Sequence, residues 1–133
     1  MNGERSVYFD SSALVKLVVP EPESSALRSY FDQTERVTAS TLARVEMLRS
    51  VRSHGAGAVL RARTLFSQII WLAMDDQLLE LAATLDPRSL RSLDAIHLAT
   101  AQSVGSDLAA VATYDARMTA ACRLAGLTVH APR

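Results

Sequence analysis

The sequence predicts an α/β domain, a three-layer α/β/α sandwich with a mostly parallel sheet. Short apolar segments alternate along the chain with longer segments that carry apolar residues at helical spacing. The short segments are nearly continuously hydrophobic, which is typical of strands buried on both faces. This alternation favours a central sheet with helices packed on both of its sides.

Five segments of three or four residues predict the strands. The first, Ser6–Phe9, is β-prone and apolar along its whole length, as expected of a buried parallel strand. The others cover residues 37–39, 69–72, 109–112 and 127–129. Segments of helical pattern separate them, so we expect consecutive strands to be joined by helices and to run parallel.

Helices are predicted between the strands by apolar spacing and by residues that begin or end helices. Ser11 and Ser12 offer N-cap oxygens to the first helix, and Thr113 offers one to the last. Gly105 and Gly126 are suited to end two later helices. The predicted helices cover residues 13–18, 25–32, 42–53, 58–68, 75–85, 93–104 and 114–124.

The composition is that of one ordinary globular domain, to which we assign residues 1–133. The chain is 49% hydrophobic and 21% charged, which is not the composition of a disordered protein. The single cysteine, Cys122, excludes an internal disulfide and a multi-thiolate metal site. With no signal peptide and no apolar stretch long enough to span a bilayer, we expect a cytoplasmic protein without membrane association.

Three of the fourteen acidic residues occupy one recurring position. Asp10 ends the first strand, Asp115 follows the strand at 109–112, and Asp94 lies in the first turn of its helix. Ligands of open parallel sheets gather at the carboxyl ends of strands, where helix N-termini also favour ionised carboxylates. We therefore expect Asp10 and Asp115 to face the same crevice.

Glu46 lies in the middle of a predicted helix, at the edge of its apolar stripe. A glutamate there is costly unless it is paired or binds a metal ion. Arg49 and Arg52 lie close to the same face and offer an ordinary ion pair as the alternative explanation. The residues by themselves leave both interpretations open.

Carboxylates that cluster in one crevice repel one another and resist ionising together. A divalent cation reverses that preference, and hard oxygen ligands suit Mg²⁺ or Mn²⁺ better than zinc. Such ions bind a scissile phosphate and activate a water molecule. The acidic positions are therefore consistent with hydrolysis of phosphodiester bonds.

The net charge is zero, but its distribution is uneven. Residues 36–63 contain six arginines and one acid, and Lys16 is the only lysine among fourteen basic residues. Because the guanidinium group matches phosphate geometry, this segment is compatible with a phosphate-bearing partner. Solvated helix faces explain the same pattern, so the charges alone do not decide.

Four segments of the chain resemble the signature blocks of a known family. They are VYFDSSALVK at 7–16, STLARVE at 40–46, RSLDAIHLATA at 91–101 and ATYDARM at 112–118. They resemble the blocks of PIN domains, above all those of the VapC toxins of bacterial toxin–antitoxin pairs. They occur in family order and together span nearly the whole chain.

The resemblance implies a PIN-like fold over residues 1–133 and a Mg²⁺- or Mn²⁺-dependent endoribonuclease. Asp10, Glu46, Asp94 and Asp115 match the family's acidic residues, and we expect them to be catalytic and to bind the metal. Either one or two ions are compatible with the sequence. Attack by a metal-activated water would leave a 5′-phosphate and a 3′-hydroxyl.

Further residues receive roles through the same blocks. Thr113 matches a hydroxyl that often supports the fourth acid, Asp115, and Ser12 matches a serine that could bond a carboxylate or water, although both also suit helix caps. His97, one turn after Asp94, is expected to be a packing or capping residue, and Cys122 a core residue. Four arginines are predicted to bind RNA: Arg44, Arg49, Arg52 and Arg91.

The resemblance also implies partners: an RNA substrate, a VapB-type antitoxin and a second copy of the chain in a homodimer. Family antitoxins wrap the toxin and often bring an arginine toward the acidic site. Apolar residues of the first two helices offer a groove or a dimer face, or are simply core. These residues are Leu14, Val15, Val18, Leu27, Tyr30 and Phe31.

Other functions fit less well. A receiver-type phosphoacceptor domain needs a lysine late in the fold, whereas Lys16 follows the first strand. A phosphatase with an aspartate nucleophile requires Asp-x-Asp at the position that Asp10 and Ser12 occupy. The remaining alternative is a catalytically silent PIN fold that acts as a binding module through its antitoxin partner.

Overall fold

The computed structural model describes residues 5–133, and the five strands found there form one sheet. The strands are β1 (Ser6–Phe9), β2 (Arg36–Ser40), β3 (Ile70–Leu72), β4 (Leu108–Ala112) and β5 (Val129–His130). Their order is β3-β2-β1-β4-β5, and every neighbouring pair is parallel. The predicted three-layer α/β/α fold is confirmed, with β1 at the centre of the sheet.

Seven α-helices occur in the described residues, each within two residues of its predicted bounds. They are α1 (Ser11–Lys16), α2 (Ser24–Gln33), α3 (Leu42–Val51), α4 (Ala56–Phe66), α5 (Asp76–Ala83), α6 (Ser92–Ser103) and α7 (Ala116–Leu124). None of these helices has the length and apolar character needed to cross a membrane.

Neighbouring residues of β1 supply the two halves of the core. Successive side chains of a strand point to opposite faces of its sheet. Phe9 packs in the cluster that contains Leu14 of α1 and Phe31 of α2. Tyr8 packs on the other face, in the cluster that contains Leu98 of α6 and Met118 of α7. Tyr8 and Phe9 are thus core residues, as predicted.

The register between β1 and β4 aligns the carboxyl ends of two distant segments. Phe9 is opposite Ala112, and the backbone N–H of Asp10 donates to the Ala112 carbonyl at 3.2 Å. Asp10 therefore leaves the sheet beside Thr113. This pairing creates the sheet edge at which the acidic residues were expected.

The last strand, β5, starts two residues later than predicted. The N–H of Leu127 bonds to the Cys122 carbonyl at 2.9 Å and so closes the end of α7. The carbonyl of Thr128 then accepts from Val111, which begins the pairing with β4. Leu127 belongs to the helix end because its N–H has a better partner there.

Two predicted helix caps are wrong. Asp10 caps α1 in place of Ser11 or Ser12, because its side chain accepts the N–H of Ala13. Asp115 caps α7, which begins at Ala116, and the predicted cap Thr113 does not. A carboxylate at each strand end accepts the helix N–H groups and leaves the neighbouring hydroxyls free for other bonds.

Most of the apolar residues predicted to form a groove or dimer face are core. Leu14, Val18, Leu27 and Phe31 are buried within the chain itself. The other two, Val15 and Tyr30, are partly buried and pack against the same cluster. The first two helices are therefore held to the sheet by most of their apolar surface.

Candidate active site

All four predicted acids line one cavity of about 300 Å³ at the carboxyl edge of the sheet. They reach it from four separate elements, since Asp10 and Asp115 follow β1 and β4, Glu46 lies on α3 and Asp94 on α6. The full lining is Asp10, Ser11, Ser12, Glu46, Arg91, Ser92, Leu93, Asp94, His97, Asp115 and Arg117. The fold therefore brings four acids that are distant in the sequence into one pocket.

A larger cavity of about 750 Å³ lies beside β3 and α5. Its lining is mainly apolar and contains one carboxylate, Asp75, whose side chain already accepts the N–H of Leu78 as the cap of α5. Volume alone does not define a reactive site, and this cavity has no second titratable side chain in its lining. The acidic pocket is therefore the candidate active site.

Asp10 is the most buried of the four acids, with 4% of its surface exposed. Its Oδ1 accepts the Ser12 hydroxyl at 2.6 Å and the Ala13 N–H at 3.1 Å, and Thr113 donates to Oδ2. Burial raises the pKa of Asp10, while the bonds from Ser12 and Thr113 oppose that rise. Ser12 thus bonds to a carboxylate, as predicted, whereas Thr113 donates to the first acid, Asp10, rather than to the fourth acid, Asp115.

Ser12 and Thr113 are in turn oriented by the backbone segment that follows β4. The N–H of Tyr114 donates to the Ser12 hydroxyl at 3.0 Å, and that of Asp115 donates to the Thr113 hydroxyl at 3.1 Å. Each hydroxyl accepts from the backbone and donates to Asp10. The orientation of the Asp10 carboxylate is therefore fixed by two hydroxyls, each of which is itself held by a backbone N–H.

Glu46 contacts a histidine rather than the arginines of its own helix. The Nε2 atom of His97 lies 2.7 Å from Oε1 of Glu46, and its Nδ1 atom lies 2.6 Å from the Tyr8 hydroxyl. No ion pair of Glu46 with Arg49 or Arg52 occurs within residues 5–133, so that alternative explanation is not supported. His97 was predicted only to pack or cap, and its contact with Glu46 went unrecognised.

Asp115 is close enough to Asp94 to influence the ionisation of Asp94. Burial raises the pKa of Asp94, the negative charge of Asp115 raises it further, and His97 and Arg117 oppose the rise. Oδ1 of Asp115 accepts the backbone N–H groups of Arg117 at 2.8 Å and Met118 at 3.0 Å. The capping role thus fixes Asp115 at the mouth of the pocket.

Of the four arginines predicted to bind RNA, Arg91 lines the pocket. The guanidinium of Arg44 lies 5.7 Å from the ring centres of both Phe66 and Trp71, where it makes cation–π contacts. Arg49 and Arg52 are exposed and lie outside the pocket lining.

Arg117 is the pocket arginine that sequence reasoning missed. It lies two residues after Asp115, inside the fourth block, and is exposed at the pocket. That spacing was visible in the sequence, because a residue in the first turn of the helix that follows Asp115 stays at the same end of the fold. Arg91 and Arg117 together place two cations among the four carboxylates.

The donor set of the pocket fits Mg²⁺ or Mn²⁺. Its potential ligands are carboxylate oxygens, which these hard cations prefer. The charge of Asp115 disfavours ionisation of Asp94, and a bound cation relieves such repulsion. As their side chains stand, no three Asp, Glu, His or Cys residues of the described chain are grouped at coordinating geometry. The fit therefore rests on donor chemistry and on the shared pocket.

Comparison with known proteins agrees with this architecture. The model of the PIN domain matches residues 7–124. The chain is 46% identical over 127 residues to Ribonuclease VapC46 of Mycobacterium tuberculosis (strain ATCC 25618 / H37Rv), covering 96% of this chain and 98% of that protein. The chain therefore belongs to the PIN-domain family and, within it, to the VapC ribonucleases.

Solved structures show the same fold at low sequence identity. Mycobacterium tuberculosis VapC20, described as a sarcin-ricin loop cleaving toxin, superposes with a TM-score of 0.74 at 18% identity, covering 92% of this chain and 96% of that one. A chain of a toxin–antitoxin complex from Klebsiella pneumoniae gives 0.66 at 21% identity, covering 82% and 86%. At these identities the likeness concerns the fold alone.

Proposed function

We propose that this protein is a Mg²⁺- or Mn²⁺-dependent endoribonuclease and the toxin of a type II toxin–antitoxin system. The observation that carries the proposal is the convergence of Asp10, Glu46, Asp94 and Asp115 on one pocket. Membership of the VapC ribonucleases supports the same reaction. The substrate class is RNA, and the bond hydrolysed is its phosphodiester.

In the proposed mechanism the four carboxylates hold the divalent metal. When bound, the metal supplies Lewis-acid activation of the scissile phosphate and lowers the pKa of the attacking water. Ser12 and Thr113 keep the Asp10 carboxylate in one orientation through their hydrogen bonds. Asp115, fixed as the cap of α7, keeps a negative charge beside Asp94.

The two arginines of the pocket suit the phosphates on either side of the scissile bond. Arg91 precedes α6 and Arg117 lies in the first turn of α7, and both are exposed. Neither forms an ion pair with an acid of residues 5–133, so both guanidinium groups are available to a phosphate. They offset the repulsion between an acidic pocket and a polyanion.

The decisive experiment is cleavage of a panel of structured and unstructured RNAs in Mg²⁺, Mn²⁺ or EDTA. We expect the wild-type protein to cut at least one RNA with either metal, to leave 5′-phosphate ends, and to lose activity in EDTA. Asp94→Asn should abolish cleavage, whereas Asp32→Asn, which removes an exposed carboxylate of α2, should not.

Two results would contradict the proposal. One is cleavage that survives EDTA, and the other is equal cleavage by wild type and Asp94→Asn. A wild-type protein that cuts no RNA but pairs tightly with the product of a neighbouring small gene would support the alternative, a catalytically silent binding module.

We also propose a VapB-type antitoxin as the partner and a homodimer as the assembly. The proposal is supported by the VapC membership and by the fold shared with a chain of a toxin–antitoxin complex. Addition of the neighbouring gene's product should suppress RNA cleavage in proportion to its molar ratio. Light scattering of each protein alone measures whether this chain is a dimer.

A further inference from the structure

His97 connects the acidic pocket to the centre of the sheet. The residue is 3% exposed, and both of its ring nitrogens have partners: Glu46 at Nε2 and Tyr8 at Nδ1. Tyr8 is fully buried on β1, two residues before Asp10. A short chain of hydrogen bonds thus runs from the middle strand through α6 to a carboxylate on α3.

We assign the direction of these hydrogen bonds from the Glu46 carboxylate, which only accepts, and from the partners of Tyr8. Its hydroxyl accepts the backbone N–H of Ser40, at the end of β2, at 3.3 Å. The hydroxyl proton is then available to Nδ1 of His97. A histidine that accepts at Nδ1 carries its own proton at Nε2, which it donates to Oε1 of Glu46.

Glu46 needs such a partner more than Asp10 and Asp115 do. Its side chain has three rotatable bonds, starts in the middle of α3 and remains 22% exposed. Asp10 and Asp115 are fixed by backbone N–H groups at helix starts, which a residue inside a helix does not have. Among the described residues, His97 is the hydrogen-bond partner found for the Glu46 carboxylate.

We propose that His97 is a positioning residue for Glu46, an inference that rests on the proposed metal-dependent function. Its Nε2–H holds Oε1 and leaves Oε2 as the oxygen that Glu46 offers to the divalent cation. Tyr8 fixes the ring by occupying Nδ1. Hydrogen bonds of this kind orient ligands, and their loss weakens metal affinity about 10- to 100-fold.

A purely structural role for His97 makes a different prediction. In that case the ring only satisfies the buried Tyr8 hydroxyl and fills space between α6 and β1. The positioning role needs Nε2, which contacts Glu46, whereas the structural role needs only Nδ1, which contacts Tyr8. Substitution by glutamine or asparagine therefore distinguishes the two roles. The amide nitrogen of glutamine extends about as far as Nε2, whereas asparagine reaches only to the position of Nδ1.

The test is Mn²⁺ binding by His97→Gln and His97→Asn without RNA, measured by titration calorimetry and electron paramagnetic resonance. We expect His97→Asn to weaken Mn²⁺ binding by about tenfold or more, because Glu46 loses its donor. His97→Gln keeps a donor for Glu46 and should bind Mn²⁺ nearly as tightly as wild type. Equal affinities for the two variants, or tighter binding by His97→Asn, would overturn the proposal.

Circular dichroism shows whether His97→Asn folds. If it does not, Tyr8→Phe provides a second test of the same hydrogen bonds. It leaves the ring of residue 8 in place and removes the hydroxyl at Nδ1. We expect a smaller loss of Mn²⁺ affinity than for His97→Asn. Unchanged Mn²⁺ affinity in a folded Tyr8→Phe protein would contradict the role given to the hydrogen-bond chain.

Cleavage kinetics supply a second readout. For His97→Asn we expect a lower kcat with an unchanged KM for RNA, and partial recovery when Mn²⁺ is raised above its new Kd. A structural defect would not recover with Mn²⁺. Failure of the wild-type protein itself to bind Mn²⁺ would instead overturn the proposed function, and this inference with it.

Discussion

The hydroxyl of Thr113 donates a hydrogen bond to the buried carboxylate of Asp10, 103 residues away along the chain. We expect Thr113→Val to lower the free energy of unfolding by about 1–3 kcal/mol, because a buried carboxylate loses a donor and nothing replaces it. Urea denaturation at pH 7 measures the loss. Thr113→Ser keeps the hydroxyl and should retain most of the stability. Equal stability of Thr113→Val and wild type would contradict this account of Asp10.

Asp94→Asn should make the metal-free protein more stable at pH 7. Burial and the charge of Asp115 raise the pKa of Asp94 above its ordinary value of 3.8. A carboxyl with a raised pKa binds its proton more tightly in the folded chain, so its ionisation lowers stability as pH rises through that window. Removing the charge should add up to about 1 kcal/mol, since solvent screens the pocket.

The pH dependence of this gain checks its cause. Urea denaturation in EDTA should show the advantage of Asp94→Asn at pH 7 and its disappearance near pH 3, where the wild-type carboxyl is protonated in both states. Asp32→Asn, at an exposed ion pair with Arg28, should give no comparable gain. A gain in the free energy of unfolding that does not vary with pH would rule out relief of charge repulsion as its cause.

Arg117→Gln should weaken RNA binding through the loss of a phosphate contact. In the Asp94→Asn background, which binds without cutting, we expect the slope of log affinity against log salt to fall by about 0.7 for single-stranded RNA. Fluorescence anisotropy at several salt concentrations measures it. Arg123→Gln, at the far end of α7, is the matched control and should leave the slope unchanged. Identical salt slopes for Arg117→Gln and Arg123→Gln would show that Arg117 makes no phosphate contact with RNA.

Cys122 should be unreactive in the folded protein. It is fully buried against the helices and β4, and burial raises the pKa of its thiol to about 12. Ellman's reagent reacts with thiolates, so native protein should give almost no signal at pH 8. After denaturation, one equivalent should react, since the chain has a single cysteine. Rapid reaction of native protein would show that the α7 face opens readily.

The sequence predicted the layers and the acids because both follow local rules. Apolar segments with strand character identified the sheet, and the carboxyl ends of β1 and β4 identified Asp10 and Asp115. Helix bounds came within two residues for the same reason. Glu46 required the family resemblance, because a residue inside a helix carries no such positional signal.

The contacts between elements were not predictable in this way. Asp10, Ser12 and Thr113 are all good caps, and only the register of β1 with β4 decides that the Thr113 hydroxyl bonds to Asp10. His97 likewise carries no sign of Glu46 in its sequence neighbourhood. Its role depends on its ring contacting both Tyr8 of β1 and Glu46 of α3, a relationship that neither spacing nor composition encodes.

Pairing of β1 with β4 has a consequence for how the protein is made. A nascent chain that has reached residue 100 already contains Asp10, Glu46 and Asp94 but lacks the strand that places Thr113 beside Asp10. In that nascent chain the Asp10 carboxylate lacks the hydrogen bond from Thr113, and Asp115 has not yet been synthesised. The complete pocket therefore forms only after the segment that follows β4 has been synthesised and has joined the sheet.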